Sequence, residues 1–427
     1  MTKLILSTGN IVSGGPSIVR APGAFRSNLE LTSSLRTNFQ TAQQESREEA
    51  AYNARSGSLA DAATGKNGIN SHAILSATTS AGHANGHANG GATGDANETV
   101  KTNGVHVNGV NGVNGVNGVH GVHGVNGVNG VNSTHGHGSG QRRPPLAAWT
   151  QREDTTLYIP RIDYPPAGES AATLTTTADA EGSSITSGGS TGSSSGGLQE
   201  EAAQYNTTVK LFFLPGAASV DVTARAQYVD EALALVFREL GVASVNLLIL
   251  SFPGMSFEGD CEWTADKINA TQGDDDAEVA TWAASAETLF KAGKVRRLGV
   301  AEFGSTKLER FVARVGVPPS VDQINVHNCC NVPPPLAALA KAKGIELLVH
   351  TDCTDVLPPG TLRELLGPRG AGVLADEGDA ASNTAAPTDA LRGDLTPLWV
   401  VKYTAVVRDR GVIENKGYFA GALLHDE

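Results

Sequence analysis

The side chains in this sequence that could do chemistry are few and scattered. Cys329 and Cys330 stand side by side, just beyond the apolar run DQINV and ahead of the prolines that begin at Pro333. Adjacent cysteines do not readily bridge to each other. No neighbouring His/Asn set or basic residue marks either thiol as an activated nucleophile. With Cys261 and Cys353 they make four cysteines without CxxC spacing, which points to thiols in a reducing compartment rather than to zinc or a disulfide framework. His135 and His137 in HGHG lie in a low-complexity tract and would bind a transition metal only loosely. The acidic run GDDDAE (273–278) reads as negative charge at a helix N-terminus. The sequence holds no Ser/His/Asp set, no phosphate-binding loop and no glycine-rich dinucleotide fingerprint.

The elements that would position these residues begin at Thr208. TVKLFFL (208–214) reads as a buried strand, and Val229, Leu233, Val236 and Leu240 then recur at helical spacing up to Gly241. VNLLILS (245–251) is a second strand. Val279, Trp282, Ala286 and Leu289 line a helix that stops at Gly293, and VRRLGVAEF follows as a strand. The alternation continues through a helix at Leu308, Phe311, Val312 and Val315, the strand DQINV, a helix at Leu336 and Leu339 closed by Gly344, and the strand IELLVH. PLWVVKYTAVVRDR (397–410) reads as a last amphipathic helix that leads through Gly411 into VIE.

Near-continuous apolar strands alternating with helices argue for a parallel sheet covered by helices. LILS (4–7) and LYIPRI (157–162) would supply two further strands, with a helix from about Asn28 to Gln43 between them. Eight strands would close a (β/α)8 barrel of α/β class.

Composition divides the chain. Residues 53–145 and 165–200 are rich in Gly, Asn, Ser, Thr, Ala and His with scarcely an aromatic, so they bury too little to offset roughly 1–2 kcal/mol of backbone entropy per residue. The expected organisation is a strand and helix in 1–50, a disordered insertion in 51–150, a strand in 151–164, a second disordered insertion in 165–205, and the main part of the barrel in 206–427. The repeat around residue 120 has a three-residue period but lacks the proline of a collagen strand. A net charge of −12 gives no field to gather phosphates, which argues against nucleic acid as a partner. No segment approaches the roughly 20 apolar residues of a membrane span, and no cleavable leader is evident, so a soluble cytoplasmic protein with no membrane partner is expected.

GKVRRLGVAEF (293–303), KLERF, PSVDQINVH (319–327) and LAALAKAKGIELLVH (336–350) resemble, in order and spacing, the second half of the aldo-keto reductase family. QINVHNCCNVPPPLAALAK, LTPLWVVKYTAVVRDRGVIENKGY and LILSTGNIVSGG are further similar to one branch of that family, the regulatory subunits of glutamate–cysteine ligase. Reductases of the family transfer a hydride from a nicotinamide while a tyrosine, tuned by a lysine, a histidine and an aspartate, protonates the carbonyl oxygen. The resemblance places Gly216 where the lysine belongs, Ser251 where the histidine belongs, Asp163 at the aspartate, and Gly168 at the tyrosine, with Tyr164 adjacent to Asp163. A serine cannot carry the proton load of an imidazole.

The cofactor positions are altered as well. Ala301 and Glu302 replace the Ser-Asn pair that holds the nicotinamide amide, and a glutamate has no donor to offer. His350 replaces the stacking tyrosine. Thr351, Asp352 and Cys353 replace the phosphate-binding segment, which sets a carboxylate where a pyrophosphate would lie. Gln323 and Lys416 remain as vestigial contacts, and the reading expects no loop after Glu427 to close the pocket. The resemblance thus implies no bound cofactor, leaving open weak residual NADPH binding, and no metal.

It implies a non-catalytic partner of the glutamate–cysteine ligase catalytic subunit, joined in a heterodimer that adjusts glutamate affinity and glutathione feedback inhibition. The alternative is an NADPH-dependent reductase of a small carbonyl. For the partner interface, the branch-specific blocks nominate Cys329, Cys330, Pro333, Trp399, Tyr403 and Tyr418.

Overall fold

The structure, a computed structural model, describes residues 1–12, 27–63, 143–162, 197–325, 331–353, 355–375 and 389–425, with backbone alone over 57–63. The chain divides into two compact units, Met1–Ser58 with Arg142–Glu427, and Leu59–Gln141. Of the second unit, only the helical backbone of 59–63 is described.

The first unit opens with β1 (Thr2–Ser7) and α1 (Ser27–Ala63), followed by α2 (Leu146–Trp149) and the hairpin strands β2 (Gln151–Glu153) and β3 (Thr156–Ile159). A βα succession follows: β4 (Tyr205–Phe213), α3 (Val222–Leu240), β5 (Val245–Ser251), α4 (Glu262–Asn269), α5 (Asp275–Ala284), α6 (Ala286–Lys291), β6 (Val295–Ala301), α7 (Ser305–Val312), β7 (Val321–Asn325), α8 (Pro334–Lys343) and β8 (Glu346–His350). After α9 (Thr361–Leu366) come two long strands, β9 (Asp394–Val407) and β10 (Val412–His425).

The strands form one sheet in the order β2-β3-β1-β10-β9-β4-β5-β6-β7-β8. The run from β4 to β8 is parallel, as the alternation requires, and the class is α/β. Where the sequence suggested eight parallel strands, the described sheet has ten and is mixed. β9 pairs antiparallel with both β4 and β10, and β10 pairs antiparallel with β1.

β9 corrects the expected helix at 397–410. Its residues alternate between two cores: Trp399, Val401, Tyr403 and Ala405 pack toward α3 and the other helices between β4 and β8, while Val400 packs on the opposite side with α1 and α9. Burial on both faces over Leu398–Val401 makes that stretch apolar at every position, and the period of two shows only from Val401 on, where Lys402 and Thr404 alternate with Tyr403 and Ala405. The Val, Thr, Tyr and Trp content suits a strand.

The two cores explain the helices too. α3 starts at Asp221, whose carboxylate accepts the Ala224 N–H at 2.7 Å, and ends where Gly241 turns left-handed at φ 65°. Its Val229, Leu233, Val236 and Leu240 are buried in the first core. On the other face, Leu31, Leu35 and Phe39 of α1 pack on Leu4, Leu6, Leu157 and Ile159.

The insertion boundaries also shift. α1 runs on to Ala63, and before β2 the side chain of Trp149 is buried with its ring centroid 6.2 Å from that of Phe39. Residues 51–63 are therefore helical and Leu146–Trp149 forms α2, and within the expected strand over 151–164 the described residues 151–159 form the β2–β3 hairpin. Of the expected insertions, 64–142 and 165–196 lie outside the described residues, while 197–205 of the second is described and leads into β4 at Tyr205.

Candidate functional site

The carboxyl ends of β6, β7 and β8 meet side chains from β4 and β9 in a buried ionic network. Lys210 and Lys402 sit directly opposite each other in the antiparallel β4–β9 pair, a placement that sets like charges in repulsion. Asp352, just past β8, resolves it: Oδ2 accepts from Lys210 Nζ at 3.0 Å and Oδ1 from Lys402 Nζ at 2.8 Å. The Lys210 side chain is only 5% exposed and that of Lys402 24%. Burial alone would raise the Asp352 carboxyl, but the two ammonium groups overcome it and hold the group well below the usual carboxylate range.

The network extends through His350 to Glu302. His350 Nδ1 accepts the Asp352 backbone N–H at 3.1 Å, so the ring proton belongs on Nε2, which lies 2.6 Å from Glu302 Oε1. Asn325 donates its side-chain amide to the Asp352 carbonyl at 3.0 Å and its backbone N–H to Glu302 Oε2 at 3.3 Å. Glu302 holds this place with φ at 64°, the left-handed region that a glutamate seldom adopts. Its carbonyl accepts the Asn269 amide of α4 at 2.6 Å, and its N–H donates to the Gln323 carbonyl at 2.9 Å.

A second ionic group lies on the same sheet face, on β10. Glu30 of α1 accepts from Lys416 Nζ at 2.6 Å and from the Tyr418 hydroxyl at 2.6 Å. Tyr418 stands opposite Lys402 in the β9–β10 pair. Burial first, and then the Glu30 carboxylate, push the Tyr418 hydroxyl far above an ordinary phenol. The residue types of carbonyl reduction (tyrosine, lysine, histidine and aspartate) are thus all present on this face. The Tyr418 hydroxyl faces the Glu30 carboxylate, which makes it a poorer acid, and Lys210 and Lys402 share the single carboxylate of Asp352.

At Gly216 the structure leaves no space for a side chain. A Cβ there would lie 2.3 Å from the Pro397 carbonyl oxygen and 2.7 Å from Thr396 Cγ2. Ser251 ends β5, half-buried, in register with Phe212. Ala301 is buried in a small cluster with Leu247, Ile249 and Val321. Gln323 Oε1 is buried with no hydrogen-bond partner among the described residues. Asp163, Tyr164 and Gly168 lie outside the described residues.

The residues present do not fit a nicotinamide dinucleotide. Where the resemblance puts the nicotinamide and the phosphates, the chain offers Glu302, which has no donor, and Asp352, both of whose oxygens are already engaged.

The nominated interface residues need correcting. Trp399, Tyr403 and Tyr418 are fully buried in the chain's own cores, Tyr403 with its hydroxyl 3.3 Å from Glu239 Oε1, and Pro333 is buried at the start of α8. Burial leaves none of these four side chains open to a partner. Cys329 and Cys330 lie outside the described residues.

Sequence reasoning took the replaced cofactor positions one at a time and missed the network that joins them. Its signal was present: a lone lysine inside each of two apolar strands, VKLFF and WVVKYTAVV, requires a buried anion. Among the described residues no group of His, Cys, Asp and Glu could hold a metal ion, and no helix is long and apolar enough to cross a membrane.

The Aldo/keto reductase family matches residues 198–353. The chain is 27% identical over 223 residues to the glutamate–cysteine ligase regulatory subunit of Mus musculus and 26% over 223 residues to that of Homo sapiens, each alignment covering 52% of this chain and 68% of the relative. It is 28% identical over 224 residues to the putative glutamate–cysteine ligase regulatory subunit of Schizosaccharomyces pombe, covering 50% and 70%. An aldo-keto reductase from Bombyx mori is 28% identical over 140 residues, 33% of this chain and 41% of that one. Among solved structures, an aldo-keto reductase of the silkworm has a TM-score of 0.23 at 24% identity, covering 31% of this chain and 37% of that one. The chain thus spans about two thirds of the curated regulatory subunits, and less than half of these two reductases.

Proposed function

We infer that this chain, a homologue of glutamate–cysteine ligase regulatory subunits with an Aldo/keto reductase family segment over residues 198–353, is itself a non-catalytic regulatory subunit. It binds the catalytic subunit of glutamate–cysteine ligase as a heterodimer and modulates its glutamate affinity and its feedback inhibition by glutathione. Such an effect requires that it bind one conformation of the catalytic subunit more tightly than another.

The observation that carries this reading is the internal ionic network. Lys210 and Lys402 pair with Asp352, and His350 Nε2 lies 2.6 Å from Glu302, at the strand ends where a reductase would hold its cofactor. A chain that fills this place with its own salt bridges has kept the fold for something other than hydride transfer. Sequence similarity to named regulatory subunits supports the same conclusion.

One observation favours a second reading, an NADPH-binding reductase: the unpartnered Gln323 Oε1 is an acceptor suited to a carboxamide N–H. Two experiments separate the readings. Size-exclusion chromatography with light scattering on the mixed subunits should give a one-to-one complex, and NADPH fluorescence should not change on titration with the chain alone. Absence of a complex, together with saturable NADPH binding and carbonyl turnover, would overturn the regulatory reading.

A further inference from the structure

The run VLPPGTLRELL, between β8 and β9, turns the chain into α9. Its two prolines lack the backbone donors a strand needs, and Gly360 turns left-handed at φ 81° just before the helix. Leu357 before the turn and Leu362 after it are buried in the second core, together with Leu214, which follows β4. All three line a cavity of about 280 Å³ that the first residues of β9 complete. A volume at the lower end of small-molecule pockets suits a compact ligand with a short apolar body.

Three charged side chains line the same cavity, Asp355, Arg363 and Asp394. Arg363 is already engaged. Its Nη1 donates to the Ala375 carbonyl at 3.2 Å, its Nη2 donates to the Gly393 carbonyl, and Nη2 lies 3.8 Å from Asp394 Oδ1. The guanidinium and Asp394 thus balance each other, and the charge left over is that of Asp355.

The Asp355 carboxylate accepts the Leu357 backbone N–H, and no cation among the described residues holds it down. Burial therefore prevails and keeps the carboxyl above its ordinary value. A carboxylate without a counter-ion, beside a wall of leucines, fits a cation that carries its own alkyl chain. The chain would displace water from the leucines, and the cation would balance Asp355. An anionic ligand would instead meet repulsion from Asp355 and find Arg363 spent on carbonyl groups.

We propose that this cavity binds a small primary alkylammonium compound, with its alkyl chain against Leu214, Leu357 and Leu362 and its ammonium group on Asp355. The site lies within the chain alone and does not depend on the regulatory reading above.

The test is an NMR titration of the full chain, carrying labelled leucine methyl groups, with n-pentylammonium chloride. The Leu357 and Leu362 methyl signals should shift and saturate. Kd should fall by up to about fourfold for each methylene added from ethylammonium to pentylammonium. Asp355→Asn should raise Kd by about tenfold. Asp394→Asn should change it by less than about threefold, because that carboxylate is exposed and shared with Arg363. Both aspartates lie at the surface, so thermal melts confirm that each variant is folded. No saturable shift at these methyl groups, pentanoate binding as tightly as pentylammonium, or an unchanged Kd in Asp355→Asn would each overturn the site. Displacement of the amine by one equivalent of the purified catalytic subunit would overturn a free amine as its ligand, in favour of a lysine side chain of that subunit.

Discussion

Replacing Asp352 by asparagine removes the one carboxylate that holds Lys210 and Lys402 apart in register, and the cost can be worked from their burial. Lys210 has a 5% exposed side chain, so it is left as an unpaired buried charge. Breaking a buried pair in this way costs about 3–5 kcal/mol. Lys402, at 24% exposure, keeps some water and adds less. We therefore expect a loss of about 4 kcal/mol at neutral pH. In urea this lowers the unfolding midpoint by about 1–2 M at unchanged m. Adding Lys210→Met to the variant should restore most of the loss, because the unpaired charge is then gone. The penalty should also shrink as pH rises, because burial makes the Lys210 ammonium give up its proton more readily than a solvated lysine does. A midpoint within about 0.2 M of the unmodified chain, or no recovery in the double variant, would refute the network as described.

Three further outcomes follow from named contacts. Gly216→Ala forces its Cβ against the Pro397 carbonyl, and should destabilise by about 1–3 kcal/mol on a thermal melt; Gly216→Lys, which supplies the lysine of the reductase family, should be worse and yield no carbonyl turnover. Trp399→Ala should cost about 3–5 kcal/mol of stability, while the protein that remains folded keeps its affinity for the catalytic subunit, since the ring lies in the core. Asp275 is held down to about 2, first by its hydrogen bond to Arg310 and then by Lys307. Its folded pKa lies below its unfolded one, so it adds stability above about pH 4 that is lost as pH falls toward 2. With the carboxylate about a third exposed, that contribution is roughly 1 kcal/mol after screening, and Asp275→Asn should remove this part of the acid limb of a pH–stability curve.

Much of this architecture was legible in the residues. The helices that end at Gly241 and Gly344 announce themselves by periodic apolar positions and a left-handed glycine, and the strands between β4 and β8 by apolar runs. β9 was misread because its first half, Leu398–Val401, is apolar without a break, and this masked the alternation of Val401, Tyr403 and Ala405 with Lys402 and Thr404 that follows. α1 passes Gln43 because its later turns are polar and carry no packing period to mark where it stops. At the site, the altered positions Glu302, His350 and Asp352 were readable one by one. Their union was not, since it depends on register: only the β4–β9 pairing brings Lys210 opposite Lys402 and makes Asp352 necessary. The buried aromatics of β9 and β10 show the opposite failure, where distinctive sequence was mistaken for a surface.

The most direct test of the central claim is kinetic. Glutamate saturation and glutathione inhibition of the glutamate–cysteine ligase catalytic subunit are measured with and without an equimolar amount of this chain. The account predicts a lower glutamate KM and a weaker inhibition by glutathione when the chain is present, with both effects saturating at one equivalent. Identical curves in the two conditions would contradict it.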